Sequence, residues 1–291
     1  MHRHTLLHLR VPFSFFLLPV FLFACATGAK HLQTWPGVIA FFAWHLLIYP
    51  ASNGYNSYFD KDKGAIGGLE KPPPISRQLY FTSLIFDAIG IAIGLWISGQ
   101  FALALFIYGL VSKAYSHPAI RLKRYPFLSL LTVSLFQGAF VFLTSLQAMT
   151  GFSWREIFTF KWILAAGLSS LMLAGSYPMT QIYQHEEDAL RGDCTISLLL
   201  GIRGTFVYTL IVFLVATAGF FAFFYVYFSL QWAIGFVAAL LPVMCFFLWW
   251  MWKAFASPEQ ANFRNAMRLN LISSLCLNAF YGALWWANAQ I

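Results

Sequence analysis

Hydrophobic residues recur along the whole chain in runs close to twenty long, separated by short polar segments. A run of that length spans the hydrocarbon of a bilayer as an α-helix. The runs are continuous rather than alternating, which sets aside a membrane β-barrel. They predict nine transmembrane helices, at 11–28, 34–58, 79–98, 100–116, 126–149, 157–183, 204–228, 231–252 and 269–289. The expected fold class is an all-α polytopic membrane protein, with 1–291 as a single intramembrane domain. The first run follows His2, Arg3, His4 and Arg10 and holds small residues at Ala24-Cys25-Ala26, as a cleaved signal peptide would. We read it as a retained first helix, because eight more apolar segments follow.

Composition agrees with that pattern. The chain is 60% hydrophobic and 10% charged, and its mean hydropathy is +0.69. Cys25, Cys194, Cys245 and Cys276 are scattered without metal-binding spacing and read as isolated thiols on apolar faces. With the N-terminus cytoplasmic, fifteen of the 18 Lys and Arg residues fall on the inside segments. That bias predicts N-in, C-out topology. The bias, together with anionic lipid, accounts for the net charge of +8 without nucleic acid as a partner. The longer, Gly-, Pro- and charge-bearing loops lie inside, so function is expected at the cytoplasmic face.

Seven of the ten acidic residues sit in two short inside segments. In the first, Asn53, Asn56 and Asp60 are spaced i, i+3, i+7 and share one helical face. Asp62 follows, and Gly64 and Gly67-Gly68 break the helix. In the second, Tyr177, Gln181, Gln184 and Asp188 are spaced to share one face of a continuing helix, with Glu187 beside them. Gly192 is placed to end that helix, and Asp193 follows. Each segment thus offers amide and carboxylate oxygens from the inner end of a membrane helix. Such a set suits Mg²⁺, which binds through one or two carboxylates plus substrate phosphates. Two solvated loops of ordinary charge are the other reading. The two segments also suggest an internal repeat, with halves about 11–149 and 157–289. A coincidence of helix count is the alternative.

At these residues the chain resembles the UbiA superfamily of intramembrane prenyltransferases. That family carries an N-D-x-x-D-x-x-x-D motif after its second helix and a D-x-x-x-D motif after its sixth. Asn56 and Asp60 match the first motif, while Ser57 and Gly64 depart from it. Asp188 and Gly192 match the second in frame, with Gln184 in place of its first Asp. The stretch from Tyr115 to Arg124 is similar to the basic loop between them, and the likeness runs from roughly residue 36 to 205. The resemblance implies nine helices around a central cavity. It implies Asp60 and Asp188 as the catalytic carboxylates. Mg²⁺ would be held by Asn56, Asp60, Asp62, Gln184, Glu187, Asp188 and Asp193. An isoprenoid diphosphate would be clamped by Asn53, Lys71, Arg77, Arg121, Lys123, Arg124 and Arg191. The implied reaction is prenyl transfer to an electron-rich, aromatic acceptor with release of diphosphate, as in the making of quinones or related prenyl lipids.

Other polar residues carry two readings each. Asp87, inside the third segment, is either functional or paired with a neighbouring helix. His45 reads as a hydrogen-bonded core histidine rather than a proton shuttle. His185 lines the site or is a solvated loop residue. Asn270 and Asn278 read as interhelical hydrogen-bond donors and acceptors. The Trp pairs at 249–250 and 285–286 read as interfacial belts. The alternative function is an ion-coupled membrane transporter, but few charges line the helix middles. A phosphatidyltransferase would use one compact acidic segment instead of two.

Overall fold

The computed structural model describes residues 3–290. Its helices are α1 (Arg3–Leu9), α2 (Leu18–Gly28), α3 (Thr34–Phe42), α4 (Tyr49–Asp60), α5 (Arg77–Gly94), α6 (Gly99–Ser116) and α7 (Pro126–Val133). They continue as α8 (Val141–Thr150), α9 (Trp154–Ile157), α10 (Phe160–Ser176), α11 (His185–Arg191), α12 (Ile196–Tyr227), α13 (Leu230–Ala256) and α14 (Phe263–Ala289). Helix falls on each of the nine predicted segments.

Among the described residues, four helices are long and apolar enough to cross a membrane: Pro126–Thr150, Phe160–Thr180, Ile196–Tyr227 and Leu230–Ala256. The pair Arg3–Phe16 and Leu18–His31, bent by 42°, makes a fifth if it is one span. Length and composition thus support a multi-pass protein and identify four or five of the nine expected spans. The helices that fall short carry polar groups inward, Asn53 and Asn56 on α4, Asp87 on α5, Lys113 on α6, and Asn270 and Asn278 on α14, and α14 also carries the exposed Arg264 and Arg268.

The centre of the bundle is α2, which is apolar around its circumference and buried on nearly every side, as such a helix must be. It packs between α8 and α14. Phe23 stands within 5.0–5.9 Å, centroid to centroid, of Phe142, Phe220, Phe223, Phe224 and Tyr281. A second apolar cluster joins α12, α13 and α14 around Phe206, Phe247 and Trp250. Trp250 is fully buried and its indole N–H donates to Gln260 O at 2.6 Å. It is a core residue rather than part of the expected interfacial belt, whereas Trp249, Trp285 and Trp286 are exposed.

Two helices pass through π turns, at Ala43–Ile48 and Ser134–Phe140. At the second, a Cβ on Gly138 would stand 2.6 Å from the Cα of Ser170. The missing side chain lets α10 meet the turn backbone to backbone. Ser170 Oγ accepts the N–H of Ala139 at 3.0 Å, satisfying an amide at the turn. Asp87 pairs with Lys113, locking α5 to α6, so of its two readings the interhelical ion pair is the one seen. His45 is buried and hydrogen-bonds Ser14 O at 3.1 Å, as expected of a core histidine. Asn278 finds no partner for either side-chain polar atom and is not the interhelical link predicted.

Candidate active site

The first acidic segment forms as predicted. The helix runs to Asp60 and ends at Lys61, which is left-handed at φ 53°. Asn53, Asn56 and Asp60 all reach one cavity, as their spacing requires. Ser57, where the motif has a carboxylate, points away from that cavity into the interior and is buried. A charge there would be desolvated without return.

The second segment departs from the expected continuous helix. Pro178 has no N–H to donate back to the preceding turn, so α10 stops and Tyr177–Thr180 tightens into a 3₁₀ turn. Thr209 on α12 donates to the carbonyl of Gly175 at 3.1 Å, taking up an acceptor at the break. The short helix α11 then starts afresh and ends at Gly192, left-handed at φ 75°, where glycine carries no Cβ strain. Tyr177, Gln181, Gln184 and Asp188 still converge on the same cavity, from two elements rather than one.

That cavity has a volume of about 260 Å³. Of the predicted metal ligands, Asn56, Asp60, Asp62, Gln184 and Asp188 line it. Of the predicted diphosphate ligands, Asn53, Lys123 and Arg191 do. The carboxylates and cations are already paired. Lys123 pairs with Asp60 and Arg191 with Asp62. Arg121 grips Asp193 with Nε–Oδ1 and Nη2–Oδ2 both at 2.7 Å and reaches Asp60 at 3.4 Å. This fork-to-fork pair holds the Arg121 proton above its ordinary range. Asp193 is only 2% exposed, so it anchors the basic loop and is turned away from the cavity. Cys194 N donates to Arg124 O at 3.2 Å, tying the same two segments through the backbone.

Asp188 differs from the others: no cation is within ion-pair distance of it among the described residues. Burial pushes its carboxyl up to about 6, partly offset by a hydrogen bond from Thr195 Oγ1 at 3.1 Å. Glu187 also lies off the cavity. Its Oε1 accepts the N–H groups of Lys63 at 3.0 Å and Gly64 at 2.7 Å. Gln184 Nε2 donates to Ala65 O at 3.2 Å. Asn56 Nδ2 donates to Ser116 Oγ at 2.9 Å, which leaves its Oδ1 as the free acceptor. His185 binds Ser197 Oγ at 2.8 Å and does not line the cavity.

Lys71, Arg77 and Arg124 stand outside the lining and are exposed, Arg77 over the Phe81 ring and Arg124 over that of Tyr125. Three wall residues carried no sequence signal for this role. Arg10 counted only toward topology, Tyr183 sits between the motif positions, and Asn270 was read as a helix–helix contact. An adjoining branch of about 110 Å³ shares Phe16, Leu173, Ser176 and Asn270 with the main cavity. Its remaining walls are mainly apolar and aromatic, among them Phe23, Phe213, Phe220, Phe247 and Tyr281. A chamber that holds the charged residues thus adjoins a mainly apolar one.

Oxygen donors alone line the acidic side, which suits a hard divalent ion. Among the described residues no three His, Cys, Asp or Glu side chains cluster as a self-sufficient metal cage. The set fits an ion that takes one or two carboxylates and completes its shell from a phosphate ligand.

A family model described as the UbiA prenyltransferase family matches residues 16–274. A UbiA homolog from Archaeoglobus fulgidus, solved bound to GPP and Mg²⁺, is similar over 99% of this chain and 100% of its own, at 18% identity and TM-score 0.68. The apo UbiA homolog of Aeropyrum pernix K1 is similar over 93% of this chain and 97% of its own, at 18% identity and TM-score 0.72. A digeranylgeranylglyceryl phosphate synthase is 14% identical over 99% of both chains, at TM-score 0.59. No curated protein matches. The structural likenesses establish the shared fold.

Proposed function

The chain belongs to the UbiA prenyltransferase family, and we propose that it transfers a prenyl group from an isoprenoid diphosphate to an aromatic acceptor in a Mg²⁺-dependent reaction within the membrane. The observation that carries this reading is the convergence of Asp60, Asp62 and Asp188 with Lys123 and Arg191 on one cavity that shares a wall with an apolar branch. Relatives of the same fold were solved with GPP or DMAPP and Mg²⁺, which supports the donor class.

In the resting arrangement Lys123 and Arg191 are held by Asp60 and Asp62. Binding of metal and diphosphate would exchange these partners. Asp60 and Asp62 would hold the metal, and the freed ammonium and guanidinium would bind phosphate oxygens, where Arg provides a planar fork and Lys a point charge. Asn56, steadied by Ser116, offers its Oδ1 to the same site. Mg²⁺, when bound with the diphosphate, supplies Lewis-acid stabilisation of the departing oxygens. The allylic C–O bond breaks and its electron pair leaves with the diphosphate, whose charge Lys123 and Arg191 stabilise. Phe16, Tyr108, Phe136 and Tyr177 wall the chamber and keep water from the allylic cation, which their π faces favour. A ring carbon of the acceptor attacks, forming the new C–C bond, and the ring then passes its proton to the released diphosphate. The apolar branch is suited to the prenyl tail.

We place this site at the cytoplasmic face, with the N-terminus inside and the C-terminus outside. The inside excess of Lys and Arg supports that orientation. The two motifs stand at corresponding places in halves 11–149 and 157–289, which supports one duplicated intramembrane domain. Quinone-ring precursors are the acceptors we would try first.

The test is prenyl transfer by purified protein in detergent, from labelled GPP and DMAPP to a panel of phenolic acids and naphthols. Expected are turnover that EDTA abolishes and Mg²⁺ restores, and loss of turnover in Asp60→Ala and Asp188→Ala with the protein still folded. Metal-independent turnover, or full activity in both variants, would reject the mechanism.

A further inference from the structure

Every other cation on the cavity wall has a carboxylate partner: Lys123 has Asp60 and Arg191 has Asp62. Arg10 has none among the described residues. Its Nη1 donates to Gly67 O and its Nη2 to Asn53 O, both at 3.2 Å. Its guanidinium lies 5.6 Å from the Phe13 ring centroid, and its Nε is buried without a partner. Carbonyls and a ring satisfy donors but carry no full charge, so Arg10 feels Asp60 and Asp62 only at a distance and lacks a carboxylate in contact, which is costly in a buried site. The position is imposed by the backbone. Arg10 is left-handed, at φ 48°, at the break between α1 and the 3₁₀ turn Val11–Phe16, and that break aims its side chain inward.

A second orphan lines the same cavity. The hydroxyl of Tyr183 is buried and has no hydrogen-bond partner. Its ring is held edge-on against Phe263 at 5.4 Å, so the hydroxyl is not free to swing to another group. A guanidinium and a phenol both present N–H or O–H donors, which select an acceptor. A guanidinium with no carboxylate at ion-pair distance among the described residues favours an anionic one.

We propose that Arg10 and Tyr183 form an oxyanion-binding pair on the cavity wall, distinct from Lys123 and Arg191. The pair takes an anionic oxygen group of a substrate, either a phosphate of the donor or a carboxylate on the acceptor. This rests on the prenyl-transfer reading for the identity of the substrates, but not for the presence of the anion.

The experiment is calorimetric titration of the full-length protein in detergent, with inorganic pyrophosphate plus Mg²⁺ in one arm and 4-hydroxybenzoate in the other. Each arm is run on wild type, Tyr183→Phe, Arg10→Gln and Arg10→Lys, with melting temperatures recorded. Tyr183→Phe is expected to weaken one of the two anions about tenfold, the scale of one hydrogen bond to a charged group. Its melting temperature should hold or rise, because it removes an unpaired buried hydroxyl. Arg10→Gln should weaken the same anion at least as much, with Arg10→Lys in between. A loss in the pyrophosphate arm assigns the pair to the donor, and a loss in the benzoate arm assigns it to the acceptor. Wild-type affinity for both anions in Tyr183→Phe and Arg10→Gln overturns the proposal, as does a wild-type protein that binds neither. Prenyl transfer by wild type is assayed separately, and its absence overturns the functional reading without touching the titrations.

Discussion

Glu187 Oε1 accepts the backbone N–H of Gly64 at 2.7 Å, across 123 positions of sequence. The same oxygen takes the N–H of Lys63, so one carboxylate of the second motif ends the chain segment that follows the first. A Cβ at Gly64 would stand 3.2 Å from that carboxylate carbon, and an aspartate there would set a like charge beside Glu187.

Glu187→Ala therefore unties the two motifs rather than stripping a metal ligand. Two hydrogen bonds to a charged, half-buried acceptor are lost, about 1–3 kcal/mol after allowance for solvent. The expected result is a lower melting temperature in detergent and a raised KM for the diphosphate donor, with divalent-ion binding to the free protein little changed. Titration with Mn²⁺ and a thermal scan check both halves.

Lys123 pairs with Asp60 in the resting protein, and on the proposed function it would compete there with the metal. Lys123→Met should therefore tighten Mn²⁺ binding in the absence of diphosphate and weaken binding of pyrophosphate in its presence. The two shifts have opposite sign, and calorimetry of each ligand alone and together measures them. A residue with only a packing role would move both the same way or neither.

Asp87 and Lys113 are partners inside the helix bundle. Asp87→Ala leaves the ammonium without a counter-charge, at a cost of about 3–5 kcal/mol. Asp87→Asn with Lys113→Met should recover most of that loss. Thermal unfolding of Asp87→Asn, Lys113→Met and the double variant gives the coupling.

Gly138 allows α10 to touch the π turn of the fifth predicted segment. Gly138→Ala must move the Ser170 backbone, because the new Cβ would stand 2.6 Å from its Cα. The expected loss is about 1–3 kcal/mol, read as a lower melting temperature. Turnover should fall less than in variants of the cavity wall.

The first acidic segment was legible because helix period is local. Asn53, Asn56 and Asp60 needed only an uninterrupted α4 to share a face, and they line one cavity. The second was legible in its residues but not in its shape. Pro178 ended α10 before the periodic pattern did, yet the chain returned Gln184 and Asp188 to the cavity through a new helix. Arg10 could not be found by spacing, because its role depends on a left-handed break that brings it beside residues forty and more positions away.

By itself, the sequence determined the all-helical class, the places of the helices, the two acidic segments and the family. Each of these is written in runs and spacings within a few turns of chain, where hydrophobic period and local geometry decide. Only the tertiary structure decided which carboxylates face the cavity, which are consumed as anchors, and which cation is left unpaired. Those outcomes turn on contacts such as Arg191 with Asp62, 129 positions apart. In a low-dielectric interior each charge settles with whichever partner packing brings within reach, and that choice is not encoded in any one segment.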